Sequence, residues 1–484
     1  MASPMRQAHR TGQAATIMLA VLAAGAPGAG RKALPIVPGA HGFGMGTPAG
    51  SGRHLPVVRT RIFKVTHLKD AGPGSLREAL EAEGPRTVVF EVSGNIEMVG
   101  TVTVRHPYLT VAGQTAPSPG VTLKRCELSI RADDVLLQHL RVRVGDLLDP
   151  NRPERNAASG WSQWSERDNM KVSGRRVVVD HCSFSWATDE NVQSRGSELT
   201  FRHCIFSEGL NSPRHHKGLH SKGLIVLNQG VGEGLNVAVI GSLFAHNADR
   251  NPTAGAGARV VIANNLIYNA TDPPRIGITL SNAPRRETGH GGGTWASVVG
   301  NHFDNVPRAI RFISRPNEEV GKVFLGEMLY SATHASGKVV TEHIRDPWTA
   351  ANMLIFKEWC GQKVHPERSK VAKPPIAVEG LRILPVREVR QWVLARAGAR
   401  PSDRDAVDRR VVRSVRERTG KILRSQADVG GWPKLAHNRR ALTIPPNPCG
   451  DDDGDGYTNL EGFLHRCAAD VEGSAKQAPA VKGP

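Results

Sequence analysis

One short grammar repeats through the middle of this chain and limits what it can fold into. VVVDHCSFSWATDEN (177–191), LTFRHCIF (199–206), VAVIGSLF (237–244), VVIANNLIY (260–268) and SVVGNHF (297–303) share one order: a β-branched run, one or two small or polar residues, then an apolar or aromatic residue. Cys182 and Cys204 are 22 residues apart, and so are Phe184 and Phe206. A unit this small cannot bury its own apolar face, so successive units must stack and share one core. A parallel β-solenoid meets that requirement. An antiparallel sandwich also has many short strands, but it needs hairpin signals and clean two-residue alternation, and neither is prominent here.

The solenoid also accommodates the length. A chain of 484 residues exceeds one ordinary core, whereas a stack that grows in one dimension escapes that limit. Three weaker coils are read at Val102–Val111, Leu123–Ile130 and Val135–Val144. Before them, FKVTHLKDAGPGSLREAL gives a strand, a Gly/Pro turn and a short amphipathic helix, with Ser75 and Glu78 as a capping box. Such a helix caps the open end of a solenoid, which would otherwise expose core and strand edges.

The expected fold is therefore all-β: a parallel β-helix over 59–380 with an N-terminal capping helix. A basic helical extension follows over 381–448, with helices near 387–397 and 402–419, and then an acidic loop and tail over 449–484. Residues 1–30 have the order of a secretory signal: Arg6, His9 and Arg10, an apolar run over Ala14–Ala26, then small residues. Residues 31–58, rich in Gly and Pro, read as a linker or unstructured start. No later segment is a transmembrane candidate. Export is consistent with Cys449 and Cys467 closing the acidic loop as a disulfide, while Cys182 and Cys204 read as stacked core thiols.

The net charge of +18 favours an anionic partner. Its placement tempers that inference, because Ile383–Gly450 alone holds 15 Lys or Arg against 6 acids. No nucleic-acid recognition motif or zinc spacing accompanies those helices. The long polar breaks at 146–167, 209–223 and 271–294 are the loops that a solenoid gathers on its binding face.

The chemistry is read from charged residues at strand ends. Asp180, Asp189 and Glu190 leave or enter strands on neighbouring coils, so they are expected to converge. Clustered carboxylates need a cation, and an all-oxygen ligand set selects a hard ion such as Ca²⁺. RHHKGLHSKGL (214–224) and HNADRNP (246–252) then put Lys222 and Arg250 toward the same groove. A metal flanked by Lys and Arg suits a carboxylate substrate, since all three draw charge from it. His215, His216 and His220 have no Cys partner or HExxH helix to make a zinc set; His216 and His220 are read as holding the loop or contacting substrate.

Taken in order, FKVTHLKDAGPGSLREAL with VAGQTAP, VVVDHCSFSWATDEN, KGLHSKGL, and ADRNP followed by ANNLIYN resemble pectate lyases of the polysaccharide lyase family 1 type, over roughly residues 60–310. The resemblance implies a right-handed parallel β-helix, Ca²⁺ dependence and cleavage of de-esterified polygalacturonate by β-elimination. In that reaction Ca²⁺ bridges enzyme and uronate carboxylate, an Arg removes the acidified C5 proton, and the C4 oxygen leaves. It further implies Asp180 as a calcium ligand, Asp189 and Glu190 as further ligands with Asn191 as a competitor, Lys222 as the substrate-binding lysine and Arg250 as the base.

The chain departs from the family at one point. A second Arg is expected shortly after the proline, and here Gly255 stands there with Arg259 displaced. That departure sustains an alternative, a non-catalytic β-helix that binds acidic polysaccharide or a cell surface. A solenoid glycoside hydrolase would need paired acids, and the cation-rich site favours elimination. Near the C-terminus, Asp451, Asp453 and Asp455 with Gly456 match the start of an EF-hand-type loop. Asn459 and Glu461 complete the expected ligand set of a single dockerin-like, structural calcium loop, although position twelve is Gly462. The whole reading is a secreted monomer acting on acidic polysaccharide, with no nucleic-acid partner and no membrane span.

Overall fold

Val177, Leu199 and Val237 stand in register on adjacent parallel strands, so the sequence repeat is the coil repeat. A computed structural model describes residues 34–146, 166–211, 215, 218–227, 236–269, 276–282, 293–313, 321–350, 354–355 and 365–473. The expected export signal and His216 lie outside them.

Each central coil supplies three strands in turn. The first goes to a ten-stranded parallel stack that runs from Arg61–Val65 to Gly321–Leu325. The second is a short strand such as Ser183–Ser185, Ile205–Ser207 or Leu243–Ala245. The third opens a further stack that includes Met170–Val172, Glu190–Ser194 and Lys222–Val226. Parallel pairing continues to Met328–Thr333, which turns back as an antiparallel hairpin with Val339–Ile344. The fold is a parallel β-helix.

The repeating grammar has a local cause at the first corner. His181, His203, Gly241, Asn264 and Gly300 follow the first-stack strands with φ of 49°, 50°, 62°, 59° and 66°. This left-handed bend suits Gly and Asn and strains other residues. At the two histidines the imidazoles stack at 4.7 Å. At Gly241 a side chain is excluded, because a Cβ would come 2.7 Å from the Trp392 ring. The next residues turn inward: Cys182 and Cys204 are buried thiols, and Asn265 and Asn301 hydrogen-bond each other at 3.0 Å. Beyond them Phe184, Phe206 and Phe244 form a column with centroids 5.6 and 4.8 Å apart. Each such buried side chain contributes about 1.5–3 kcal/mol relative to exposure.

Segments outside the coils cover the first two stacks. Helix α1 (Leu76–Glu81) buries Leu76, Ala79 and Leu80 at the N-terminal end of the core. Its cap differs from the expected box. Ser75 accepts from the Glu78 amide at 3.2 Å, but Glu78 reaches one residue further and takes the Gly74 amide at 2.7 Å. The stretch read as a linker is packed structure from residue 34, since Ile36, Ala40, Met45 and Ala49 bury against Leu136 and Val178.

Helices α2 (Val386–Arg396) and α3 (Ala406–Glu417) put Val389, Val393, Val411 and Val415 on the outer face of Ile205, Leu243 and Leu266. Helix α4 (Asn459–Glu472) puts Leu460 and Leu464 on Val89 and Ala112. It was missed as a helix, although Thr458 and Glu461 form a complete capping box at its start. The expected disulfide is absent: Cys449 and Cys467 are free thiols, with Cys467 held inside α4.

Part of the basic extension docks on the flank. Arg390 and Arg418 both bind buried Asp304, at 3.1 and 3.2 Å. Arg410 grips Glu208 at 2.7 and 2.9 Å. In the other direction, Arg143 of the second stack binds Asp405, the N-cap of α3, at 2.5 Å and Asp408 within α3 at 2.8 Å. Three arginines of the tail therefore serve to dock the tail itself. Among the described residues no helix is long and apolar enough to cross a membrane.

Candidate active site

The third stack begins with a column of charge. Glu190 and Lys222 open neighbouring strands and pair in register, and Lys222 bridges to Asp249 on the next coil. One coil earlier, the Glu190 amide donates to Asp168 Oδ1 at 2.8 Å. Beside this column runs a buried ladder of amides, with Asn169 Nδ2 donating to Asn191 Oδ1 at 2.8 Å and Asn191 Nδ2 to Asn247 Oδ1 at 3.2 Å. The ladder fixes the turns from which the charged side chains project. It also shows that Asn191 serves the interior.

Oxygens of Asp168, Asp189 and Glu190 lie within 4.8 Å of one another. Asp168 Oδ2 and Glu190 Oε2 are buried without a hydrogen-bond partner, although Asp168 Oδ2 is 3.4 Å from the Lys171 ammonium. The other Glu190 oxygen pairs with Arg250. Asp189 accepts from His220 Nε2 at 2.7 Å, and His215 stacks on His220 at 3.9 Å. Burial raises the Asp168 carboxyl well above its ordinary range, and the neighbouring Asp189 and Glu127 charges add to this against Lys171. Burial also pushes Asp189 up, but the His220 hydrogen bond and the His220, Arg250 and His215 charges outweigh it and hold the carboxyl at about 2. Three crowded acids with two unmatched buried oxygens fit a hard cation, whose bonds would satisfy the oxygens and relieve the repulsion.

Cations line the other side of the column. Lys222 lies 3.5 Å from Asp249, and the Arg311 guanidinium binds both Asp249 oxygens at 2.9 and 2.8 Å. Arg311, from the strand Arg308–Ile313, supplies a second guanidinium beside Lys222 through their shared partner Asp249. Displaced Arg259 cannot do so, because it belongs to a first-stack strand and lies over Trp295, 4.6 Å from the ring centroid.

The convergence expected of Asp180 does not occur. It ends the first-stack strand Arg175–Asp180, one corner and one strand before Asp189, and is fully buried. Its oxygens are taken by Gln138 at 2.9 Å, His181 at 2.8 Å and Arg202 at 3.1 Å. The acid that joins Asp189 and Glu190 is Asp168, which the sequence reading missed. A signal was present, because ERDN (166–169) precedes TDEN (188–191) by the same 22 residues as the cysteines. Asp249 and Arg311 carried no comparable signal.

The C-terminal acidic loop holds only part of its expected set. Asp451, Asp453 and Asp455 lie together and exposed. Asn459 is engaged with the Asp452 amide and the Asn447 carbonyl, and Glu461 caps α4 while pairing with Arg53 at 2.9 Å.

No family model matches the chain. Over 441 residues, 88% of this chain and 86% of the relative, it is 28% identical to a probable pectate lyase C of Aspergillus flavus. Its curated relatives bear the name pectate lyase. A second, from Aspergillus oryzae, is 27% identical with the same coverage, and one from Emericella nidulans is 32% identical over 241 residues, 49% of this chain and 48% of that protein. Among solved structures, a Bacillus subtilis pectate lyase mutant superposes with a TM-score of 0.48 at 12% identity, covering 74% of this chain and 96% of that one.

Proposed function

We propose that this chain is a calcium-dependent polyuronate lyase, exported by its N-terminal segment, that cleaves de-esterified polygalacturonate as a monomer by β-elimination. The observation that carries the reading is the acid triad with two unmatched buried oxygens, beside Lys222, Arg250 and Arg311. The similarity to pectate lyases over most of the chain supports it.

Asp168, Asp189 and Glu190 would hold Ca²⁺. When bound, the ion withdraws charge from the uronate carboxylate and makes the adjacent C5 proton more acidic. Lys222 and Arg311, preset by their shared partner Asp249, bind and orient that carboxylate as point charge and fork. Arg250 accepts the C5 proton. The C5–H electron pair then forms the C4=C5 bond as the C4–O bond breaks, and the leaving oxygen is protonated from water. Free guanidinium holds its proton to about pH 12, and the Arg250 pair with Glu190 favours the protonated form, so the base role requires Glu190 to be turned toward the bound cation and like charge to stand beside Arg250. His220 positions Asp189. The exposed Asp451, Asp453 and Asp455 supply a separate structural calcium loop without Asn459 or Glu461.

Incubating the full chain with polygalacturonate, with and without chelator, tests the reading through the ultraviolet absorbance of the unsaturated uronide. Calcium-dependent absorbance is expected. Binding of the polymer without absorbance would instead favour the non-catalytic binder, the reading that Gly255 sustains.

A further inference from the structure

A second cluster of ligating groups lies at the first corner of the helix, apart from the groove. His139 and His181 follow successive first-stack strands, and their rings are parallel within 10° at a centroid distance of 5.2 Å. Glu472, the last residue of α4, brings Oε1 to 3.4 Å from His139 Nε2 and to 3.4 Å from His181 Nδ1. Asp180 Oδ1 is 2.8 Å from the same His181 nitrogen. Three separate parts of the chain meet here.

One buried ring nitrogen at this corner makes no hydrogen bond. His139 Nδ1 lies 2.6 Å from the Ala399 carbonyl oxygen, and a carbonyl only accepts, so that nitrogen carries the ring proton. Nε2 of the neutral ring is then a lone pair. It is fully buried, makes no hydrogen bond, and faces a carboxylate oxygen. Two electron-rich atoms facing each other at 3.4 Å, one of them fully buried, offer a cation a place between them.

We propose that His139 Nε2, His181 Nδ1 and Glu472 Oε1 form a Zn²⁺-type site, with Asp180 beside them for the fourth position, that clasps the C-terminal helix to the coils. Two imidazole nitrogens with carboxylates suit zinc, whereas the all-oxygen groove suits calcium. The Ala399 carbonyl plays the outer role that fixes a ligating imidazole's tautomer. Binding displaces the His181 Nδ1 proton to solvent and draws the ligand atoms, now within 4.8 Å of one another, onto one ion. The site belongs to docking of α4 and stands whether or not the groove is a lyase.

The test uses the full chain, stripped with chelator, exposed to Zn²⁺ or Co²⁺ and desalted. Native mass spectrometry should find one zinc per chain in the wild type and in Asp168→Asn, and none in Glu472→Gln or His139→Gln. Cobalt should give the visible absorption of a tetrahedral site in the first pair only, and zinc should raise the unfolding temperature of that pair only. Glu472→Gln alters a half-buried helix end, so it carries the test if His139→Gln does not fold. A wild type that retains no zinc, or a folded Glu472→Gln that retains it, overturns the proposal and leaves a proton-mediated contact in its place.

Discussion

On the second-stack flank, Arg143 sets its two terminal nitrogens on Asp405 and Asp408, at 2.5 and 2.8 Å. In the third-stack groove, Asp168 and Glu190 each keep a buried oxygen without a hydrogen bond. Both regions bury carboxylates on the same scaffold. On the flank every acid named above meets a guanidinium across the contact between the coils and the docked helices, a geometry in which charge serves assembly. Among the described residues no such segment docks on the groove acids, and Asp168 Oδ2 and Glu190 Oε2 make no hydrogen bond. A stack of coils thus uses one chemistry in two ways, and an unmatched carboxylate marks the face left for a ligand.

The largest effect expected is in the groove. Asp189→Asn or Glu190→Gln should lower kcat for uronide release by on the order of 10²–10³ with little change in unfolding temperature. Loss of stability without loss of rate would reverse the assignment of the two regions. Arg250→Lys should collapse kcat with a modest change in KM if Arg250 is the base, while a mere clamp would raise KM.

On the flank the pattern should invert. Asp405→Ala removes one partner of a buried pair and should cost about 3–5 kcal/mol, read by urea unfolding, while the folded enzyme keeps its specific activity. The same pair should set the acid limit. Burial pushes Asp405 up, but Arg143 and Arg141 outweigh it and hold its carboxyl far below the ordinary range. A depressed folded-state pKa stabilises the fold above the unfolded value of about 3.9 and loses that contribution as pH falls through the folded value. Stability should therefore drop below about pH 4 in the wild type and drop less steeply in Asp405→Asn. The smallest effect is expected at the exposed loop: Asp453→Asn should leave the rate unchanged and remove only the gain in unfolding temperature that Ca²⁺ gives through that loop, and a lost rate would tie the loop to catalysis.

The coil register was legible because the corner demands it. A left-handed residue followed by an inward small or polar one recurs at His181–Cys182, His203–Cys204, Gly241–Ser242 and Asn264–Asn265, and the sequence displays that pair directly. Capping by Leu76, Ala79 and Leu80 was equally visible as an amphipathic face. Site membership was harder to read, because a carboxylate at a strand end does not declare which stack it closes. Asp180 and Asp189 are nine residues apart, yet one turns into a buried ion-pair network and the other into the groove. Asp168 was hidden by its position at the edge of a polar break. Arg311 lies 62 residues from Asp249, a pairing that only the coil pitch creates. The helix α4 was obscured by the acidic residues ahead of it, which drew the reading toward a metal loop and away from the Thr458–Glu461 box.

The account turns on which acid belongs to the groove. The most direct measurement is the rate of unsaturated uronide formation against free Ca²⁺ concentration for the wild type, Asp168→Asn and Asp180→Asn, each first shown to be folded. The account predicts that Asp168→Asn needs at least about tenfold more Ca²⁺ for half-maximal rate, by analogy with the affinity lost when a metal site is disturbed, while Asp180→Asn keeps the wild-type calcium dependence. A calcium requirement shifted by Asp180→Asn and untouched by Asp168→Asn would contradict it.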